Sequence, residues 1–173
     1  MKNEPSIVIR EATKSDGGVL RVLINEIIHI GGTTAIESPL SDTEFGEYFL
    51  NGPNFIYCHV ATTRNNKILG FQSLTQHPKL AEGWVDIVTF TRQNPKIPGV
   101  GTALFNATIL YAKKIKLEAI NATIRRDNIP GLSYYSKMGF VDYSVDRAVP
   151  LSDGTPIDRV SKKIVIEDTS GAA

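Results

Sequence analysis

The sequence predicts an α+β domain, a mixed and mostly antiparallel central sheet of about seven strands flanked by about four helices. Three observations predict it. Short segments rich in β-branched and aromatic residues recur between turn residues. Four other segments carry apolar residues at helical spacing behind recognisable start signals. The strand-like segments come as a three-strand meander followed by strand, helix, strand, which requires a mixed sheet with helices packed on it.

The elements follow in order. Ile7–Arg10 reads as a short strand. Thr13-Lys-Ser-Asp16 has capping-box form and opens a helix with Leu20, Leu23, Ile24, Ile27 and Ile28 on one face, stopped by Gly31-Gly32. Ser41-Asp-Thr-Glu44 is a second capping box, opening a short helix through Phe45, Tyr48 and Phe49. Phe55–Thr63 and Ile68–Thr75 form a hairpin about the polar turn Arg64–Lys67, and Trp84–Thr91 is the next strand. Val100–Lys114 is a helix with Val100, Ala103, Leu104, Ala107, Leu110 and Tyr111 on one stripe. Ala119–Ile124 is a strand. Pro130 suits the first turn of a helix that ends at Gly139. Phe140–Val149 and Ile157–Ile166 are strands joined through Ser152-Asp153-Gly154. Residues 1–5 and 167–173, polar or small, are expected to fray. The 173 residues are expected to make one domain, with its core between about residues 6 and 166.

Composition narrows the function. The formal net charge is +1 and charged residues make up 21% of the chain, so no basic stripe for nucleic acid or anionic lipid stands out. The single Cys58 excludes an internal disulfide, and His29, His59 and His77 form no metal-ligand spacing, so no metal is expected. There is no signal-peptide pattern and no run long enough for a membrane span; a cytoplasmic protein is expected.

The segment Lys96-Ile-Pro-Gly99-Val-Gly101-Thr102 carries the most chemistry. Its glycines lie between the strand Trp84–Thr91 and the helix Val100–Lys114. Strand, glycine loop, helix aims several backbone N–H groups and the positive end of a helix dipole at one point, which favours phosphate. The segment lacks the Gly-Lys-Ser/Thr ending of a nucleotide-binding P-loop. In the preceding strand, alternation places Trp84, Asp86, Val88 and Phe90 on one face. Burial among such neighbours would raise the pKa of Asp86 toward values useful in proton transfer.

A second segment, Asn128 followed by Tyr135 and Gly139-Phe140, completes a pattern. Together with the Lys96-x-x-Gly99-x-Gly101 loop it resembles the GNAT superfamily of acyl-CoA-dependent N-acetyltransferases. The resemblance covers the element order over about residues 7–166. It implies acetyl-CoA as co-substrate, with backbone amides around Ile97, Gly99, Val100, Gly101 and Thr102 on the pyrophosphate, attracted also by Lys96. It implies that the strand end at Val88, Thr89 and Phe90 bonds the pantetheine arm and thioester carbonyl, that Asn128 contacts the cofactor arm, and that Tyr135 faces the sulfur as general acid. Two departures matter: Lys96 is a point charge where the family has a forked Arg or Gln, and Pro98 has no N–H to offer. Neighbouring Tyr134 and Tyr135 project about 100° apart on a helix, so only one is expected to face the sulfur.

In some amino-acid acetyltransferases of the superfamily, including the phosphinothricin-acetyltransferase-like group, a Glu stands where this chain has Asp86. Asp86 is therefore the candidate base, acting through a water because it is one methylene shorter, or a substrate anchor. Glu37, in a region that walls the acceptor site in these proteins, is a candidate ammonium ligand or a plain loop acid. His77 is a surface His or a base. His29 is a partner for its helix dipole, and one of Cys58 and His59 is expected in the core. The resemblance implies transfer of acetyl to a small-molecule primary amine (an amino acid, an amino-acid-like toxin or a polyamine) in a ternary complex. It also allows a protein or peptide N-acetyltransferase, or a non-catalytic acyl-CoA-binding module. A homodimer paired through the sheet or late strands, with the hairpin Val149–Val160 contributing, is a further expectation by analogy.

Overall fold

The computed structural model describes residues 6–167, so the ends expected to fray lie outside the described residues, Glu167 apart. A seven-stranded sheet runs in the order β1-β2-β3-β4-β5-β7-β6. The strands are β1 (Val8–Glu11), β2 (Phe55–Thr62), β3 (Ile68–Thr75), β4 (Trp84–Thr91), β5 (Ala119–Arg125), β6 (Val141–Pro150) and β7 (Pro156–Val165). The helices are α1 (Gly17–Ile30), α2 (Asp42–Phe49), α3 (Val100–Lys114) and α4 (Ile129–Lys137). Every neighbouring pair is antiparallel except β4 with β5. The expected α+β class is the one observed.

Both faces of the sheet are covered. On one, Leu20, Leu23, Ile24 and Ile27 of α1 and Phe45 and Phe49 of α2 pack on Cys58, Val60, Phe71 and Phe90. On the other, Val100 and Leu104 of α3 pack on Ala61 and Leu69, while Phe105 and Ala112 join Leu74, Val85, Ile87, Ile120 and Tyr135. Alternation in β2 sends Cys58 and His59 to opposite faces, and because both faces are covered, both residues are buried, where one had been expected. His59 meets Thr108 of α3, Nδ1 to Oγ1, at 3.1 Å. The thiol of Cys58 is pushed up to about 12 by burial, which keeps it unreactive.

The stripe expected on α3 is rotated. Leu110 is 67% exposed, and the buried face is Val100, Leu104, Phe105, Thr108 and Ala112. The helix bridges two apolar clusters, so Phe105 and Ala112 turn inward, and Thr108 is buried because its hydroxyl meets His59. The late strands are also shifted: β6 begins after Phe140, which stays in the core, and β7 begins at Pro156.

Start signals act as the sequence indicates. Ser41 Oγ accepts the Glu44 N–H at 3.2 Å, and the Glu44 carboxylate accepts the Ser41 N–H at 2.8 Å. At Thr13 the box opens a 3-10 turn (Lys14–Asp16) that runs into α1. Asp16, buried, accepts both guanidinium ends of Arg10 at 2.8 Å and the Thr13 N–H at 2.7 Å. This joins β1 to the start of α1.

The hydrogen bonds from Arg10, with those from Thr13, hold the Asp16 carboxyl at about 2, against burial pushing it up. Its contribution is complete above the ordinary carboxylate pKa of ~3.8 and disappears as pH falls toward 2. Asp16→Asn is expected to lower stability by about 2 kcal/mol at pH 7. Urea melts of the two proteins at pH 7, 4 and 2 should show that gap closing with acid; a gap independent of pH contradicts the ion pair.

Candidate active site

The parallel pair β4–β5 holds for three residue pairs only, Trp84–Ala119, Val85–Ile120 and Asp86–Asn121. Beyond them the strands part. On its other side β4 stays paired with β3 as far as Thr91, and β5 with β7 as far as Arg125. Arg92 N–H bonds Leu69 O at 2.7 Å, and antiparallel bonding alternates. Residues 88 and 90 therefore spend their backbone groups on β3, while Ile87, Thr89 and Thr91 turn theirs into the gap. By the same rule Arg126 N–H to Asp158 O at 2.9 Å leaves Thr123 and Arg125 facing the gap from β5. Of the three β4 residues expected to offer backbone groups, Thr89 does so. Those of Val88 and Phe90 face β3, and both side chains pack among α1 and α2.

The glycine loop opens beside this gap. Gly99 is the residue before α3, with φ +84°, a conformation that costs an L side chain about 1–2 kcal/mol. The first bond of the helix is Ala103 N–H to Gly99 O at 2.9 Å. The N–H groups of Val100, Gly101 and Thr102 precede it, and no acidic residue occupies that turn. Ile97 packs on the Val100–Leu104 cluster and anchors the loop, and Lys96 is exposed at its rim.

Both tyrosines of α4 reach the same place. The Tyr135 hydroxyl lies 2.9 Å from Thr89 Oγ1. The Tyr134 hydroxyl donates to Gly101 O at 2.8 Å and accepts from Gln72 Nε2 at 3.1 Å, and Gln72 Nε2 also donates to Thr89 Oγ1 at 2.8 Å. The expected 100° divergence does not separate them, because the gap is wide enough to take both rings, their centroids 4.9 Å apart. Tyr135 is 7% exposed, and burial pushes its phenol far above the ordinary value. Burial takes Tyr134 to about 12. Both hold their protons at neutral pH and can act as donors.

Asp86 is on the opposite face of β4, at the last paired position. Burial raises its carboxyl, and the hydrogen bond from Asn121, the nearby His77 and the Ile87 N–H partly offset that. Asn121 Nδ2 donates to Asp86 Oδ1 at 2.7 Å, and the Tyr143 hydroxyl donates to Asn121 Oδ1 at 2.5 Å. The Lys163 ammonium lies 5.4 Å from the Trp84 and Tyr143 ring centres. Next along β5 come Thr123 and Arg125, opposite Ser161 and Arg159 of β7. Arg125 is paired with Asp127 at 2.6 Å, while the buried Arg159 Nε has no partner.

The loop between α1 and α2 walls this face. Arg125 donates to Thr34 O at 3.3 Å, Asn128 Nδ2 to Thr33 O at 2.8 Å, and Glu37 accepts from the Ser152 N–H at 2.9 Å and the Ser152 hydroxyl at 2.8 Å. Asn128 also caps α4, its Oδ1 accepting Gly131 N–H at 3.0 Å. Asn128 and Glu37 are thus at the cleft, with their polar atoms engaged in holding that wall. His77 is exposed in the loop after β3, its Nδ1 accepting the Lys79 N–H at 3.2 Å. His29 is exposed in the last turn of α1.

No family model matches the chain, and no curated protein matches it in sequence. Solved structures do match it in shape. An N-acetyltransferase from Staphylococcus aureus superposes with a TM-score of 0.81 at 16% identity, over 94% of this chain and 99% of the other. A GNAT superfamily phosphinothricin acetyltransferase from Sinorhizobium meliloti, solved in complex with acetyl-CoA, superposes at 0.81 with 16% identity, over 96% and 92%. The chain has the GNAT fold. A ribosomal-protein-alanine N-acetyltransferase from Brucella melitensis matches it about as well, at 0.81 and 18% identity over 91% and 99%. The fold alone therefore does not choose an acceptor.

Sequence reasoning did not single out Gln72, Asn121, Tyr143, Arg125 or Arg159 for the GNAT-fold cleft. Gln72 and Asn121 were polar residues inside strands, which is a usable signal. The arginines act only through cross-strand neighbours. Among the described residues no group of three His, Cys, Asp or Glu could hold a metal, and no helix is long and apolar enough to cross a membrane.

A Cβ on Gly101 would stand 2.8 Å from Tyr134 Cε2. The backbone at Gly101 is helical, so Ala would otherwise add about 1 kcal/mol of helix propensity. Gly101→Ala is instead expected to destabilise, by about 1–3 kcal/mol, because the Tyr134 ring must leave its two hydrogen bonds. Thermal melts decide it: a stabilised Gly101→Ala protein means that Tyr134 does not clamp the loop.

Proposed function

We propose that this protein transfers the acetyl group of acetyl-CoA to the primary amine of a small molecule. The observation that carries the reading is the junction of unpaired backbone groups and buried phenols where β4 and β5 part. The N–H groups of Val100, Gly101 and Thr102 suit a pyrophosphate, with Lys96 adding charge at the rim. The free edge of β4 at Ile87–Thr91 suits the amides of a pantetheine arm. Acetyl-CoA supplies the acetyl group as a thioester.

The residues then divide the work. Asp86, whose carboxyl is raised by burial and partly lowered again by the Asn121 hydrogen bond, takes the ammonium proton through a water and leaves the amine neutral. The Thr89 N–H faces the gap and suits the carbonyl oxygen as charge develops there; one such donor is worth about 3 kcal/mol in a dry site. Tyr135 protonates the sulfur as the carbon–sulfur bond breaks. Nitrogen gives up two protons in all, the first through Asp86 and the second as the amide forms; one offsets the proton placed on sulfur and the other leaves to solvent.

The acceptor wall favours an amine that also bears an anionic group. Arg159 Nε lacks a partner, and Arg125 and Lys163 lie on the same face, so an anionic group on the acceptor would meet cations there. An amino acid or amino-acid-like toxin fits this charge pattern. Cys58, buried as a free thiol, suits a cytoplasmic location. A homodimer remains part of the reading by analogy with the fold.

Release of CoA thiol across a panel of amino acids, polyamines and peptides tests this. Amino acids should react, and Arg159→Met should raise their KM roughly tenfold with kcat little changed. Reaction with peptides alone makes the protein a peptide acetyltransferase, and binding of CoA with no release from any amine makes it a binding module.

Tyr135→Phe and Asp86→Asn should each lower kcat by about 10²-fold. Because burial raises the Asp86 carboxyl, activity should fall with acid from above the ordinary carboxylate range, and Asp86→Asn should abolish that limb. Full activity in both variants rules out both assignments.

A further inference from the structure

His59, Gln72 and Thr89 lie directly opposite one another across β2, β3 and β4, beneath α3 and α4. Gln72 is 1% exposed, and the proton-transfer scheme above does not use it. Its orientation is determined by its neighbours. The Tyr134 hydroxyl gives its hydrogen to Gly101 O, so it accepts from Gln72 Nε2. Turning the amide over would leave two N–H groups buried without partners; as it stands, only Gln72 Oε1 lacks one.

Gln72 Nε2 therefore donates to Thr89 Oγ1, which faces Tyr135 Oη. The chain has one donor hydrogen too many. Gln72 Nε2 carries two, and Thr89, Tyr134 and Tyr135 one each, five in all, whereas their contacts number four: Gln72 with Thr89, Gln72 with Tyr134, Tyr134 with Gly101 O and Thr89 with Tyr135. The surplus hydrogen sits at the Thr89–Tyr135 end, which is the end at the gap. An acceptor placed beside Tyr135 satisfies every donor at once, in the sequence Gln72 to Thr89 to Tyr135 to acceptor.

We propose that Gln72 and Thr89 are positioning residues that turn the Tyr135 proton outward to the sulfur of CoA and donate to the phenolate it leaves. This rests on the reading of Tyr135 as the proton donor. When the carbon–sulfur bond breaks, the electron pair stays on sulfur. The Tyr135 O–H bond breaks as S–H forms, and the phenolate oxygen keeps the hydrogen bond from the Thr89 hydroxyl. The proton released by the amine restores Tyr135 through solvent.

The test needs no acceptor amine. Thiolate absorbance of CoA bound to the full chain is followed against pH, with thiol-free desulfo-CoA as the blank for tyrosine. The bound thiol should ionise about one pH unit below free CoA, a tenfold change. Thr89→Val and Tyr135→Phe should each abolish that shift, read with CoA saturating at every pH. Thr89→Ser should keep it, and Thr89→Val in the Tyr135→Phe background should change nothing further. Gln72→Met should lose part of it; if that variant does not fold, the Thr89 pair alone decides.

A Tyr135→Phe protein with an unchanged thiol titration overturns both the donor role of Tyr135 and this proposal. A shift lost in Tyr135→Phe but kept in Thr89→Val overturns only the proposal. So does a Thr89→Val effect of equal size in both backgrounds, because Thr89 would then act independently of Tyr135.

Discussion

The separation of β4 from β5 after Asp86 and Asn121 is the constraint on which the rest depends. A parallel pair that continued would satisfy its own N–H and C=O groups and leave no cleft. By parting, the strands keep their outer partners and leave two inner edges bare in the middle of a well-packed sheet. Unpaired backbone groups in such a place are costly unless water or a ligand takes them. The surrounding residues maintain that opening: Tyr134 pins the start of α3, Tyr135 fills its floor, and Asn128, Arg125 and Glu37 fasten the wall on the acceptor side.

The two ionisable groups proposed for proton transfer sit on opposite faces of one strand. Asp86 and Tyr135 are both desolvated, but desolvation acts oppositely on their usefulness. It raises the carboxyl toward the range in which a base works near neutral pH, and it makes the phenol a donor that never ionises at rest. The Asn121 hydrogen bond partly offsets the rise at Asp86, and Thr89 gives the phenol a hydrogen-bond partner. One strand thus separates an accepting environment from a donating one.

Much of the fold could be read from local chemistry. Ser41 and Glu44, Pro130, Gly31 and the alternation of β4 act over a few residues, so their signals survive without tertiary context. The rotated face of α3 could not be read, because two clusters on different strands set it. The same limit applies to the site. Gly99, Gly101 and Tyr135 lie in contiguous motifs and stood out. Gln72 and Arg159 derive their meaning from residues directly opposite on other strands, at separations no periodicity reports. Asn128 shows the converse: a motif position is legible in sequence, while the cap and the bond to Thr33 that occupy it are not.

The outermost strands have a consequence for self-association. β1 is only four residues long, and β6 breaks register between Asp142 and Ser144 and again between Asp146 and Val149, with Ala148 at φ +51° and Pro150 at its end. Neither margin offers a straight run of free amides for another chain to zip onto. Two copies that meet through the late hairpin would have to do so by laying side chains such as Val141 and Tyr143 against each other, so that such a contact would depend on apolar area rather than on ladder hydrogen bonds.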